Sequence, residues 1–357
     1  MASSSLFFSA SPESSSSAAA APSPRSSSPP PSSTSADHAT RAKSTIKIAM
    51  VQLNPYHKQP QRTLDHLNSL LASCFPSLAS SDDTSNDGEP PIDILMLPEM
   101  ALTGYTYTSP SDIHPYAEPL GPEGRTTSWC MSTASRLHCW VVAGFPCLAP
   151  DGKYYNAMVL VNRRGEIITT YFKHFLYTTD EAWATPGPSF KALVDIPEFG
   201  HLVLGICMDL NPYKFEAPFD LCEFGRFCVS KRAHLVLCCM AWLRSGSSRE
   251  GAEQDDQDED DEDEDEASSL LSYWAYRLRP LDGTGCLVAI CNRVGKENST
   301  EFAGHSCVMQ MSGGIKQRDM EVSHVGKKEG VYVIEAEFDW VNQGDTDEGQ
   351  EGEGAGR

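Results

Sequence analysis

No two cysteines of this chain stand at Cys-x-x-Cys spacing, and no Lys/Arg cluster is dense enough to grip a phosphate backbone. No apolar stretch approaches the roughly 20 residues needed to cross a bilayer. The first absence matters because twelve cysteines are present. Without paired spacing, Cys286, Cys291 or Cys307 with His305 makes a poor zinc set, and burial as small apolar side chains explains them more simply. Cys238 and Cys239 are adjacent in an apolar run that reads as a strand, so they face opposite sides and do not converge on one ligand. No metal or other cofactor is expected. The opening residues also lack the charged and apolar regions of a secretory signal, so reduced thiols and a cytoplasmic or nuclear setting are expected. The missing basic cluster argues against nucleic acid as a partner, and the missing apolar run against a membrane. The formal charge of −21 is less informative than its distribution. Twelve acids lie between Glu253 and Glu266 and five between Asp345 and Arg357, leaving 32 acids against 27 bases elsewhere.

Three polar residues, each closing an apolar run, are chemically complementary. Glu99 follows Leu95-Met96-Leu97-Pro98, Lys173 follows Tyr171-Phe172, and Cys207 follows Leu202-Val203-Leu204-Gly205-Ile206. Strand ends are where α/β folds assemble their sites. A thiol with a pKa near 8.5 is mostly protonated at neutral pH, so it needs a base or a cation beside it. Glu99 suits the first role and Lys173 the second. Thiolate addition to a carboxamide places negative charge on oxygen, for which Lys173 and the backbone N–H of Met208 are candidate partners. Taken singly, each residue has a plainer account: a packed thiol, a loop carboxylate and a surface cation.

The segments Pro98-Glu99, Lys173-His174 and Gly205-Ile206-Cys207-Met208-Asp209, in this order and at these separations, resemble the Glu-Lys-Cys triad of the nitrilase superfamily of carbon–nitrogen hydrolases. Gln52, the stretch Cys291-Asn292-Arg293-Val294-Gly295, and Gly304-His305-Ser306 are further family-like pieces, and the resemblance spans about Ile46 to Phe338. Within the superfamily, Cys207 through Pro218 and Met240-Ala241-Trp242-Leu243 most resemble the fungal protein N-terminal amidases. The resemblance implies Glu99 as general base, Lys173 as oxyanion-stabilising cation and Cys207 as nucleophile. It also points to Glu181 as a second carboxylate that orients the substrate amide, with Asp180 beside it as a rival. The implied reaction converts N-terminal Asn or Gln of a protein or peptide to Asp or Glu with release of ammonia, through a Cys207 thioester, and feeds an N-degron route. The acceptor for the substrate's α-ammonium is left open among Asp112, Asp180, Glu181 and Asp209, with Trp242 and Asp209 as pocket walls. Two alternatives stand beside this reading: a superfamily hydrolase of small ω-amides, nitriles or carbamoyl compounds, and a non-catalytic interaction protein.

The chain divides by composition. Residues 1–45 are Ser-, Ala- and Pro-rich and read as a disordered tail, with a mitochondrial import segment as the rival account. Residues 46–340 read as one catalytic domain, and 341–357 as a disordered acidic tail. Within the domain, Ser77 to Pro91 reads as a surface excursion, and 245–267 as a flexible acidic insertion near the site entrance, where it would favour positively charged substrate termini. Apolar runs at Ile46–Leu53, Ile92–Leu97, Val141–Phe145, Ala157–Val161, Ile167–Phe172, Leu202–Ile206, Leu235–Cys239, Leu287–Cys291, Ser306–Met311 and Val331–Glu335 predict strands. Helical spacing of Leu64, Leu67, Leu71 and Cys74, and again of Leu270, Trp274 and Leu278, predicts helices, with another through Glu223 and Phe227. The resemblance implies that these form an α/β fold, the four-layer αββα sandwich, as a monomer or a homodimer.

Overall fold

Continuous apolar runs build strands here because both faces of each sheet are covered, one by the other sheet and one by helices. The structure, a computed structural model, describes residues 45–78, 90–244, 259–312 and 321–338. The chain begins with β1 (Thr45–Gln52), α1 (Pro60–Cys74), β2 (Ile94–Met96), α2 (Pro110–Ile113) and β3 (Glu118–Pro119). It continues with α3 (Arg125–Leu137), β4 (Trp140–Leu148), β5 (Tyr154–Val161), β6 (Ile167–Phe172), α4 (Thr178–Glu181), β7 (Lys191–Ile196) and β8 (Gly200–Ile206). The remainder is α5 (Glu223–Ser230), β9 (Leu235–Met240), α6 (Glu259–Leu278), β10 (Cys286–Asn292), β11 (Lys296–Glu297), β12 (Thr300–Glu301), β13 (Cys307–Met311), β14 (Glu321–His324) and β15 (Gly330–Glu337).

Two mixed sheets carry the fold. One has the order β15-β1-β2-β4-β5-β6, with β3 also pairing β4; the other runs β14-β13-β10-β9-β8-β7. Strand alternation then sorts the side chains. Ile46, Ile48 and Met50 of β1 join Met158 and Leu160 of β5 and Leu204, Leu237 and Ala289 of the second sheet in the buried layer between the sheets. Ala49 and Val51 point the other way, into a cluster with Leu67 and Leu71 of α1 and Cys130, Ala134 and Leu137 of α3. On the far side, Phe224 and Cys228 of α5 and Leu270, Trp274 and Leu278 of α6 cover the second sheet. The result is the αββα order. Each such buried Leu, Ile or Phe contributes roughly 1.5–3 kcal/mol of transfer free energy.

This layering brings three strand ends together. β2 and β6 belong to one sheet and β8 to the other, and the chain leaves them at Glu99, Lys173 and Cys207 respectively. Gly144 permits a close approach there: a Cβ on it would lie 2.6 Å from the Glu99 Cα. Beyond β6, a Cβ on Gly187 would lie 2.1 Å from the Phe172 carbonyl, and the Gly187 N–H donates to the Lys173 carbonyl at 2.7 Å.

The acidic insertion differs from expectation. α6 starts at Glu259, so the later part of the 245–267 stretch is helical. Acids are favourable in the first turns of a helix, whose N-terminus carries partial positive charge. Glu266 is further held by Arg244 at 3.1 Å and Lys327 at 2.6 Å. Residues 245–258, like 1–44, 79–89 and 339–357, lie outside the described residues, so the expectations for both tails and most of the Ser77–Pro91 excursion fall there. Thr45, assigned to the tail, already belongs to β1.

Candidate active site

Glu99, Lys173 and a third residue, Asp180, form a fully buried cluster. The Lys173 Nζ donates to Glu99 Oε1 at 2.7 Å and to Asp180 Oδ2 at 2.6 Å. Asn156 of β5 bridges the two carboxylates, its Nδ2 donating to Glu99 Oε1 at 2.6 Å and to Asp180 Oδ1 at 3.0 Å. The Asp180 carboxylate is fixed again by the Tyr177 N–H at 3.0 Å. An ammonium has three protons, so two fixed acceptors leave Lys173 one to direct elsewhere. Glu99 Oε2, by contrast, is buried with no hydrogen-bond partner among the described residues.

The electrostatics follow from one cation beside two carboxylates. Burial would depress the Lys173 pKa, but Asp180 and Glu99 together hold it above the ordinary lysine range, so the side chain stays an ammonium. Burial raises the Glu99 pKa, with Lys173 opposing and the Asp180 charge adding to the rise, which makes Glu99 a stronger base than a free carboxylate. Burial also pushes the Cys207 thiol well above its usual range, and the Glu99 charge adds to this against Lys173. The resting sulfur is therefore a thiol. Lys173 alone does not make it a thiolate, so a nucleophilic role for this sulfur would need a base to take its proton.

Cys207 sits where β8 ends in a tight 3-10 turn, Cys207–Leu210, with a left-handed φ of 39°. Such backbone costs about 1–3 kcal/mol and concentrates at functional sites. Asp209 holds this turn. Its carboxylate accepts from the Ile206 N–H at 2.8 Å, the Phe175 N–H at 2.9 Å and the Tyr171 hydroxyl at 2.7 Å, tying the end of β8 to the end of β6.

A cavity of about 320 Å³ opens onto Cys207 and Met208. Its walls come from Tyr105, Tyr177, Asn211, Phe215, the segment Ala241-Trp242-Leu243, and Ser269, Leu270 and Tyr273 of α6. The other family-like pieces support this wall from behind. Asn292 Oδ1 accepts from the Trp242 N–H at 2.8 Å, Asn292 Nδ2 donates to the Gly304 carbonyl, and Ser306 links Asn292 to Gln52. Glu297, paired with Arg293, accepts from the Tyr105 and Thr106 N–H groups.

Several sequence expectations are redrawn by this geometry. Asp180, not Glu181, is the carboxylate at Lys173; Glu181 is half-exposed, 4.0 Å from Lys214 Nζ. The reason is local: Tyr177 begins the short α4, and Asp180 at its third position turns back to the Tyr177 N–H, which leaves Glu181 facing outward. Asp112 pairs with Lys58 at 2.6 Å and does not line the cavity. Asp209 is a strut beneath the Cys207 turn and not a wall. Trp242 and Met208 do line the cavity. Asn156 was missed, although its position as a polar residue in the apolar run of β5, paired near Lys173, was a usable signal. The cavity contribution of α6 had no such signal.

The carbon-nitrogen hydrolase family model matches residues 47–211. A protein N-terminal amidase of Schizosaccharomyces pombe is 32% identical over 291 residues, covering 75% of this chain and 92% of that protein. The crystal structure of an N-terminal amidase with an Asn-Glu-Ala peptide shares the fold at a TM-score of 0.66 and 23% identity, covering 82% of this chain and 98% of that one. A second, with a Gln-Val peptide, gives 0.64 at 23% identity with the same coverage. With a triad-like cluster at three converging strand ends and a relative matched over nearly its whole length, the chain belongs to the carbon–nitrogen hydrolase family.

Proposed function

We propose that this chain is a protein N-terminal amidase, hydrolysing the side-chain amide of N-terminal Asn or Gln to Asp or Glu with release of ammonia. The observation that carries the chemistry is the division of labour within Glu99: Oε1 is occupied by Lys173 and Asn156, while Oε2 is buried and free to accept a proton. The similarity to the Schizosaccharomyces pombe amidase supports the substrate class, and a cavity of about 320 Å³ beside Cys207 has room for a chain end.

In this reading the substrate carboxamide lies against Cys207. Glu99 takes the thiol proton as sulfur bonds to the amide carbon, and the oxyanion is met by the remaining Lys173 proton and the Met208 N–H. As the tetrahedral species collapses, the C–N bond breaks and Glu99 returns its proton to the departing ammonia. A water then gives its proton to Glu99 and its oxygen to the thioester carbon. The C–S bond breaks, the acid is released and Glu99 reprotonates the sulfur. Asp180 and Asn156 keep Lys173 charged and Glu99 oriented throughout.

The test is a panel of Asn-, Gln- and Gly-started peptides beside free ω-amides, read by ammonia release. Turnover of the Asn- or Gln-started peptides, with none from the Gly-started peptide, is expected. Release from free ω-amides alone would replace this reading with a small-amide hydrolase.

A further inference from the structure

The proposed reaction requires a free α-ammonium on the substrate, and the four carboxylates suggested by the sequence are all unsuited to hold it. Asp180 is bonded to Lys173, Asn156 and the Tyr177 N–H, and Asp209 to three backbone N–H groups and Tyr171. Asp112 pairs with Lys58, and Glu181 faces outward beside Lys214. No Asp or Glu lines the cavity among the described residues. Glu266, the last acid of α6 before the cavity-lining Ser269, faces Arg244 and Lys327.

Distance narrows the search. In Asn only Cβ and Cα separate the carboxamide carbon from the α-nitrogen, so the ammonium lies within about 4 Å of the carbon under attack. The cavity surface nearest Cys207 must therefore receive it. Ala241, which lines the cavity with Cys207, is followed directly by Trp242, and Asn211 lies four residues past Cys207. The Trp242 and Tyr273 rings stand 5.5 Å apart, tilted by 58°. The Tyr273 hydroxyl donates to Asn211 Oδ1 at 2.6 Å, and the Asn292 bond to the Trp242 N–H presets the backbone on the other side.

Resting on the amidase reading above, we propose that Trp242, Tyr273 and Asn211 Oδ1 form the subsite for the substrate's α-ammonium. Ring faces attract a desolvated cation, Trp most strongly. An amide oxygen has two lone pairs, so Asn211 accepts from the ammonium while keeping Tyr273. A neutral subsite also has an advantage over a carboxylate. Two carboxylates already share the single Lys173 cation, and a third negative charge near Cys207 would make the thiol still harder to ionise.

The experiment compares an Asn-started peptide with its succinamoyl analogue, which has the same ω-amide and peptide tail but no α-amine. Wild-type protein should favour the amine by at least about tenfold in kcat/KM. Trp242→Leu should collapse that ratio toward one, Trp242→Phe should lower it by about threefold, and Asn211→Leu should lower it through a higher KM for the amine alone. Trp242→Phe and Tyr273→Leu decide the question should the leucine variant at 242 not fold. An unchanged ratio in these variants, with both substrates slowed equally, would reduce the rings to plain walls and overturn the subsite while leaving the amidase reading in place. Wild-type protein inert on both substrates would overturn the amidase reading itself, and the subsite with it.

Discussion

At the scale of single residues, neighbours that look interchangeable in the sequence have different surroundings. Asp180 touches Lys173 and is buried, whereas Glu181 is half-exposed. Asp180→Asn should therefore lower kcat by about 10²-fold, since it loosens the cation that meets the oxyanion, while Glu181→Gln should leave kcat within about twofold. Ammonia release under saturating substrate checks both. The pH profile carries a sign. Glu99 must be ionised to accept the thiol proton, and burial raises its pKa, so kcat/KM should fall with decreasing pH through a point above the ordinary carboxylate range. Asp180 adds to that rise, so Asp180→Asn should move the acid limb to lower pH, and an unmoved limb would separate Asp180 from Glu99. That Glu99, Lys173 and Cys207 each follow a strand was legible because each closes an apolar run. The choice between Asp180 and Glu181 was not legible, because it depends on how four residues of α4 turn back on Tyr177. Asp209 shows a related limit of the sequence: a carboxylate near Cys207 suggests substrate, but four hydrogen bonds to protein atoms at the β8 and β6 ends occupy it.

Among the elements, strands were easier to anticipate than helices, because burial on both faces writes an unbroken apolar run such as Leu235 to Met240. α3 went unread: its buried positions include Thr126, Thr127 and Thr133, which carry little hydrophobic signal. β7 was hidden in the same way, with mostly half-buried or exposed residues against β8. The acidic stretch was read by charge repulsion alone, and the helix dipole together with the apolar stripe through Leu270 and Trp274 prevailed from Glu259 onward. One close approach holds the elements in catalytic register, and it is testable. Gly144→Ala would push β4 against the Glu99 backbone, so a loss of about 1–3 kcal/mol in urea denaturation should accompany a fall in kcat. Unchanged stability and activity would mean that β4 does not support Glu99 as described.

For the whole molecule, the decisive property is that two sheets deliver their strand ends to one place. β2 and β6 bring Glu99 and Lys173 from one sheet, β8 brings Cys207 from the other, and α6 lines the cavity from the outer layer. No single segment contains the site, so it depends on the sandwich packing as a unit. The direct check is mass spectrometry of an Asn-started peptide incubated with wild-type protein, Cys207→Ala and Glu99→Gln. Wild type should add about one mass unit to the N-terminal residue, the difference between an amide and an acid, through a transient acyl adduct on Cys207; both variants should leave the peptide unchanged. The same mass gain with Cys207→Ala, or a wild-type adduct on any other residue, would contradict the assignment of Cys207 as the atom that breaks the C–N bond.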